Sequence, residues 1–273
     1  MIPLDDRRFL ATIRVGDVCR GTVAAVSRSG MEVTLDGFPA RPLGSVGVLD
    51  ASWRRRFADV AVVGRKVAGE VVAVDLDAGR ALLSTAATEN PELWAFLKRL
   101  RCGEVLTGTV AAIERFGVFV ALDEGPGHPI HPGVGFITCP ELSWRWFEDV
   151  SEVVEVGQRV ACEFLQFDTT NGEARLSLRA TRPDPFQSFA DGVRAGRRLT
   201  GRVTKLVPFG FFVEVADGIE GLVHLSELGL PPEAGPMSSV AVEEAVRPGD
   251  RLTVYVKDVD RERRRLSLSL RQP

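Results

Sequence analysis

Three phenylalanines crowd the stretch Lys205–Val215, KLVPFGFFVEV: Phe209, Phe211 and Phe212. Aromatic rings do no acid–base or nucleophilic chemistry. What they offer is a flat face on which another flat ring can stack. Read as a strand, the stretch sends Phe211, Val213 and Val215 to one face and Phe212 and Glu214 to the other. The first set can fill a core. Phe212 is left on a polar face, and Phe209 precedes a glycine that can bend the chain and turn its ring to the same side. Two rings side by side on an open sheet would form a platform for flat ligands, nucleobases above all. A hydrophobic strand with one stray exposed ring would look the same over this stretch alone.

Groups capable of covalent chemistry do not gather anywhere. The sequence holds no glycine-rich phosphate loop, no HExxH, no nucleophile elbow and no recurring carboxylate pair. His128-Pro-Ile-His131, with Asp123 and Glu124 upstream, has the donor types of a metal site, but a proline-rich loop is a poor frame for ligands. Cys19, Cys102, Cys139 and Cys162 are scattered without a CxxC pair, so free thiols in a reducing compartment are expected. No apolar run reaches the roughly 18 residues of a membrane span, and the opening residues lack a secretory pattern. The expectation is a cytoplasmic protein that is not an enzyme, with no cofactor, no metal and no membrane partner.

The elements that must position the rings come in triplicate. GDVCRGTVAAVSRSGMEVTL from Gly16, GEVLTGTVAAIERFGVFVAL from Gly103 and GRRLTGRVTKLVPFGFFVEV from Gly196 share one pattern. Closing segments also recur: VAVDLDAGRALLS, LQFDTTNGEARLS and VKDVDRERRRLSLS. A period near 90 residues exceeds the roughly 20–50 of solenoid repeats and suits an array of small domains. In the third copy, period-two runs fall near Arg197–Leu206, Gly210–Ala216, Gly221–His224, Arg251–Val259 and Arg264–Leu270. Five antiparallel strands in so short a unit must close on themselves to remove their edges. The expected fold class is therefore all-β with short connecting helices, as three tandem five-stranded barrels over 1–87, 88–181 and 182–273. The connectors are read as helices. Asn90 caps one ahead of Pro91, and Asp184 caps another ahead of Pro185. The N-terminal DDRRFLATIRVG is a third copy, with Phe9 where the others have Phe96 and Phe189.

Aligning the copies bears on the rings. The inward positions, Phe211, Val118 and Met31, stay apolar in all three. The outward ones, Phe212, Phe119 and Glu32, do not; a core demands the first pattern and is indifferent to the second, so Phe209 and Phe212 read as functional positions.

The pattern G-x-x-x-x-G-x-V, FG-x-FV, GLVH-x-SEL and D-x-x-x-x-R-x-S-L-S resembles the S-one RNA-binding domain family, the repeat of a bacterial ribosomal protein. The third copy follows it nearly throughout. The resemblance implies an OB-fold barrel that binds single-stranded RNA through two aromatics around FGxF, a histidine, and an aspartate and arginine near the last strand. Carried over, those positions are Phe209, Phe212, His224, Asp260 and Arg265, with Lys205 nearby. The second copy keeps Phe116, Phe119 and Asp168, but has Thr138 for the histidine and Glu173 for the arginine. The first has Ser29 and Glu32 for the aromatics and Asp50 for the histidine, keeping only Asp75 and Arg80, and reads as degenerate.

Charge sets a limit on affinity. Basic and acidic residues number 12 and 10 in 1–87, 8 and 14 in 88–181, and 14 and 13 in 182–273. With no unit strongly basic, binding should rest on stacking plus a local edge formed by Arg202, Lys205, Arg261, Arg263, Arg264 and Arg265. The expected partner is single-stranded RNA, messenger RNA foremost, in translation or RNA metabolism. The alternative is a docking adaptor in which domains one and two engage the ribosome or another protein. Trp53, Trp144 and Trp146 follow the third strand, where packing beneath a loop is the simplest role. Arg54, Arg55 and Arg56 are the one basic feature of the first copy.

Overall fold

The computed structural model describes residues 3–228 and 246–272; residues 229–245 of the expected third domain, with 1, 2 and 273, lie outside the described residues. The first barrel comprises β1 (Val18–Ser27), β2 (Gly30–Leu35), β3 (Gly44–Gly47), β4 (Lys66–Asp75) and β5 (Arg80–Ser84). The second comprises β6 (Val105–Glu114), β7 (Gly117–Leu122), β8 (Gly135–Thr138), β9 (Arg159–Asp168) and β10 (Glu173–Ser177). The third comprises β11 (Arg198–Val207), β12 (Gly210–Ala216), β13 (Ile219–His224), β14 (Arg251–Asp260) and β15 (Arg265–Ser269). Each closes in the same order, first strand to second, third, fifth and fourth.

The strands are not all antiparallel. In each barrel the third and fifth strands pair parallel: β3 with β5, β8 with β10, and β13 with β15. A closed ring with an odd number of strands cannot alternate direction all the way round, so one parallel ladder is unavoidable.

Alternation decides what lies inside. In the third barrel Val203, Phe211, Val213, Val223, Val254, Val256, Leu266 and Leu268 form the core, with Phe211 fully buried. In the first, Val23, Met31, Val33, Val46, Val71 and Leu83 do the same. The glycine of the FG pair is required by close approach. A Cβ on Gly210 would overlap the carbonyl oxygen of Val223, and Gly30 and Gly117 meet Val46 and Ile137 in the same way. Next to it, a bulge between Val203 and Lys205 brings Lys205 opposite Phe212.

Helices over Leu4–Leu10, Pro91–Arg99 and Pro185–Asp191 precede the barrels. Asp184 caps the last, accepting a hydrogen bond from the Phe186 N–H at 2.9 Å, and Phe186 enters the third core. Asn90 holds the N-cap position but does not cap. Its Nδ2 donates to the Ala86 carbonyl instead, because a helix over Thr85–Glu89 runs directly into it.

What differs most between barrels is the connection from second to third strand. It covers 36–43 in the first, 123–134 in the second and only 217–218 in the third. Contacts divide the chain into two compact units, Met1–Leu142 with Asp149–Thr181, and Ser143–Glu148 with Arg182–Pro273. Among the described residues no helix is long and apolar enough to cross a membrane.

Candidate nucleic-acid interface

The outer face of the third barrel can be built from its register. Phe212 stands beside Lys205 on one flank and Leu222 on the other, Leu222 beside Ser267, and Ser267 beside Asp258. One step away, His224 pairs with Gly210, and Arg265 with Asp260. Period two keeps all these side chains on the side opposite Phe211. Phe209 is 49% exposed, Lys205, His224 and Arg265 are exposed, and Phe212 is partly exposed. The aromatic pair, the histidine and the aspartate–arginine pair expected from sequence are thus brought onto one open surface.

The polar groups there are oriented. His224 Nδ1 accepts from the Ser226 N–H at 3.2 Å, which leaves Nε2 to carry the ring hydrogen as a donor. Asp260 Oδ1 accepts from the Arg263 N–H at 2.9 Å. A depression of about 160 Å³ opens between Leu222, His224, Lys257, Asp258 and Ser267. Lys257 forms a 2.7 Å ion pair with Glu227, and that bond holds the Glu227 carboxyl below its ordinary range.

The expected basic edge is thinner than the sequence suggests. Arg264 lies in the left-handed region (φ 51°), donates twice to the capping Asp184 at 2.9 and 3.0 Å, and covers the Trp144 ring at 4.5 Å. Arg261 pairs with Asp191 at 2.8 Å. These two arginines tie the connector helix and Trp144 to the barrel.

The second barrel departs from expectation. Phe116 is 57% exposed, yet Phe119, the counterpart of Phe212, is only 5% exposed. The His131 ring lies on it, 4.9 Å between centroids and 19° from parallel. Phe136, in the place of Leu222, is equally buried and carries the Arg175 guanidinium at 4.8 Å. Asp168 is engaged by Arg175 through Nε at 3.1 Å and Nη2 at 2.6 Å. Glu173, where the third barrel has Arg265, is 3% exposed, and burial raises its carboxyl above the ordinary range. Of the second-barrel residues expected to contact RNA, Phe116 alone offers an open ring.

His128 and His131 are packed, not set out as ligands. His128 Nε2 donates to the Asn171 carbonyl at 2.8 Å, while Nδ1 accepts from the Ile130 and His131 N–H groups at 3.2 and 2.9 Å. The two imidazoles stack at 4.6 Å. Burial is the main cause that pushes the His128 pKa down to about 4, and burial lowers that of His131 as well. Asp123 is taken by Arg159.

In the first barrel the register corrects one assignment. Gly47, not Asp50, stands opposite Gly30 where the third barrel has His224. The Asp50 carboxylate fills the space left, 2.9 Å from where a Cβ on Gly47 would lie. Asp75 caps its own turn, accepting from the Asp77 and Ala78 N–H groups. Arg55 is held by Glu89 at 2.5 Å. Trp53 packs at 6% exposure, as its position after the third strand suggests; it donates to the Thr169 carbonyl at 3.2 Å and stacks 6.1 Å from His128. Trp144 is only partly exposed, donating to the Arg182 carbonyl, whereas Trp146 is 77% exposed.

Two participants were missed from sequence. Arg175 lies two residues beyond Glu173, hence on the same face of β10, and period two alone could have found it. The stacking of His131 on Phe119 has no such signature.

The S1 RNA binding domain profile matches residues 99–179 and 193–271. The chain is 38% identical over 264 residues to small ribosomal subunit protein bS1 of Mycolicibacterium smegmatis, covering 94% of this chain and 50% of that protein, and equally similar to that of Mycobacterium tuberculosis. It is 30% identical over 263 residues to that of Neisseria meningitidis, covering 94% of this chain and 44% of that one. The chain thus spans about half the length of these relatives.

Proposed function

Because the chain belongs to the S1 RNA-binding domain family and is homologous to ribosomal protein bS1, we propose that it binds single-stranded RNA on the outer face of its third barrel. It does so in the cytoplasm, in translation or RNA metabolism, by binding and not by catalysis. The observation that carries this reading is the exposed Phe209 and the partly exposed Phe212 on one surface with Lys205, His224 and Arg265. Rings without hydrogen-bond readout stack any base, at about 1–3 kcal/mol each. Lys205 and Arg265 supply charge for phosphates, and His224 Nε2 supplies a donor. With a formal net charge of −3, affinity should be modest and fall with salt only weakly.

The test is fluorescence anisotropy with a short unstructured RNA at a stated salt concentration. Phe209→Ala with Phe212→Ala is expected to remove most of the binding; unchanged affinity overturns the assignment. The acidic second barrel favours a second reading, docking on the ribosome or another protein through the first two barrels. Pull-down with and without ribonuclease separates the two, since only an RNA-mediated association is lost on digestion.

A further inference from the structure

We propose that the 123–134 connection is an intramolecular lid that holds the reading face of the second barrel shut, with His131 occupying the place of a stacked base and Trp53 of the first barrel latching it. This rests on the reading of the outer barrel face as an RNA interface.

The geometry supplies each part. Phe119 and Phe212 occupy the same register position, each beside a bulge in the preceding strand. Over Phe212 the connection is only Asp217–Gly218, and the ring stays partly open. Over Phe119 the longer connection lays an imidazole at 4.9 Å and 19°, the near-parallel offset a nucleobase would adopt there. Stacking continues outward from His131 to His128 at 4.6 Å and on to Trp53 at 6.1 Å. The Trp53 indole rests against Gly172, where a Cβ would meet it at 2.8 Å, and its N–H is bonded to Thr169. Ser52 and Arg55, on either side of Trp53, are both bound to Glu89, which fixes the latch on the first barrel.

Beneath the lid the surface is nearly finished as a reading face. Phe119 and Phe136 present two rings, and Arg175 lies over the second. The buried Glu173 Oε2 has no hydrogen-bond partner and only a 3.4 Å ion pair with Arg175, and His131 Nε2 lies 3.6 Å from Oε1; burial outweighs the Arg175 cation and raises the carboxyl. A carboxylate held this way opposes closure. A stack that a base can replace ring for ring, over a group that gains from solvation, describes a closure that an RNA strand can displace. The degenerate first barrel then has a role: it contributes the latch.

The proposal is tested in the full chain, in three measurements. Imidazole NMR follows the three histidines of the sequence. His128 is expected to titrate near 4 and His131 below the ordinary range in the parent, and both to move toward 6.5 in Trp53→Ala; ordinary titration in the parent overturns the lid without reference to RNA. In the Phe209→Ala, Phe212→Ala background, adding His131→Ala or Trp53→Ala is expected to restore RNA binding about tenfold, the worth of one stacked base. No gain from either variant, with both folded by circular dichroism, overturns the lid as a mask. If the Phe209→Ala, Phe212→Ala change alone costs no affinity, the RNA reading fails, and the masking proposal with it.

Discussion

The second and third barrels share strand order, bulge, core and a pair of outward rings, yet the ring on the second strand stays partly open in the third barrel and is covered in the second. Phe212 and Phe119 differ in nothing that their own strands dictate. They differ in the connection that leaves the strand, 217–218 in one and 123–134 in the other. A barrel fixes which side chains face outward; a loop fixes whether outward means accessible. Retention of a family's residues and their exposure to solvent are therefore separate properties, and the third barrel combines them more fully than the second.

The comparison can be broken most severely at Phe211 and Phe212, neighbours with opposite fates. Phe211→Ala empties the middle of the third core and is expected to cost about 3–5 kcal/mol in urea unfolding, whereas Phe212→Ala should change stability little while losing RNA affinity. Equal stability losses would show that Phe212 belongs to the core after all. Next in size is Arg175→Ala. It strips the cation from Phe136 and leaves Asp168 and Glu173 uncompensated, so a loss of about 1–3 kcal/mol is expected. No loss would mean that Arg175 decorates the second barrel without closing it. His224→Ala, which has no second-barrel equivalent, is expected to lower RNA affinity by about 0.5–1.5 kcal/mol, the range for one hydrogen bond, readable by anisotropy.

The smallest expected effect is that of pH. His128, at about 4 against an ordinary 6.5, and His131, also lowered, favour the neutral ring when the lid is closed. Their contribution is complete above pH 6.5 and is lost as pH falls toward 4, with a loosening on the order of a few-fold near pH 6. Glu173 acts in the opposite sense, since burial raises its carboxyl and its protonation relieves the closed form. The charged groups facing Glu173 are Arg175 and Asp168. Hydrogen-exchange protection factors for 123–134 should therefore drop from pH 7.5 to pH 6, and protection that rises instead would make Glu173 the dominant group.

Much of this was legible in the sequence, and the boundary has a physical cause. Period-two alternation and three in-register copies were enough for the barrels and for Phe211 inward and Phe212 outward, whereas the grouping of Phe209 with His224, Asp260 and Arg265 came from the family resemblance. Local alternation says which way a side chain points, never what comes to lie over it, so the burial of Phe119 was invisible. The same limit hid Arg264, which reads as part of a charged turn but is claimed by Asp184 and Trp144. Asp50 was misplaced for another reason. The histidine position in the first barrel is occupied by Gly47, and a nearby polar residue is an easy substitute when no side chain stands at the true site.

The parallel seam forced by five strands has a mechanical side. It is the shortest ladder in each barrel, with two registered pairs between β13 and β15 against at least four in every antiparallel ladder. A ring of strands under load should part there first. In the third barrel the seam runs between the two halves of the proposed recognition surface, with Phe212 and His224 on one bank and Arg265 and Asp260 on the other. Anything bound across both banks would act as a clasp, so that occupancy of the surface and resistance of the barrel to being pulled open become one quantity.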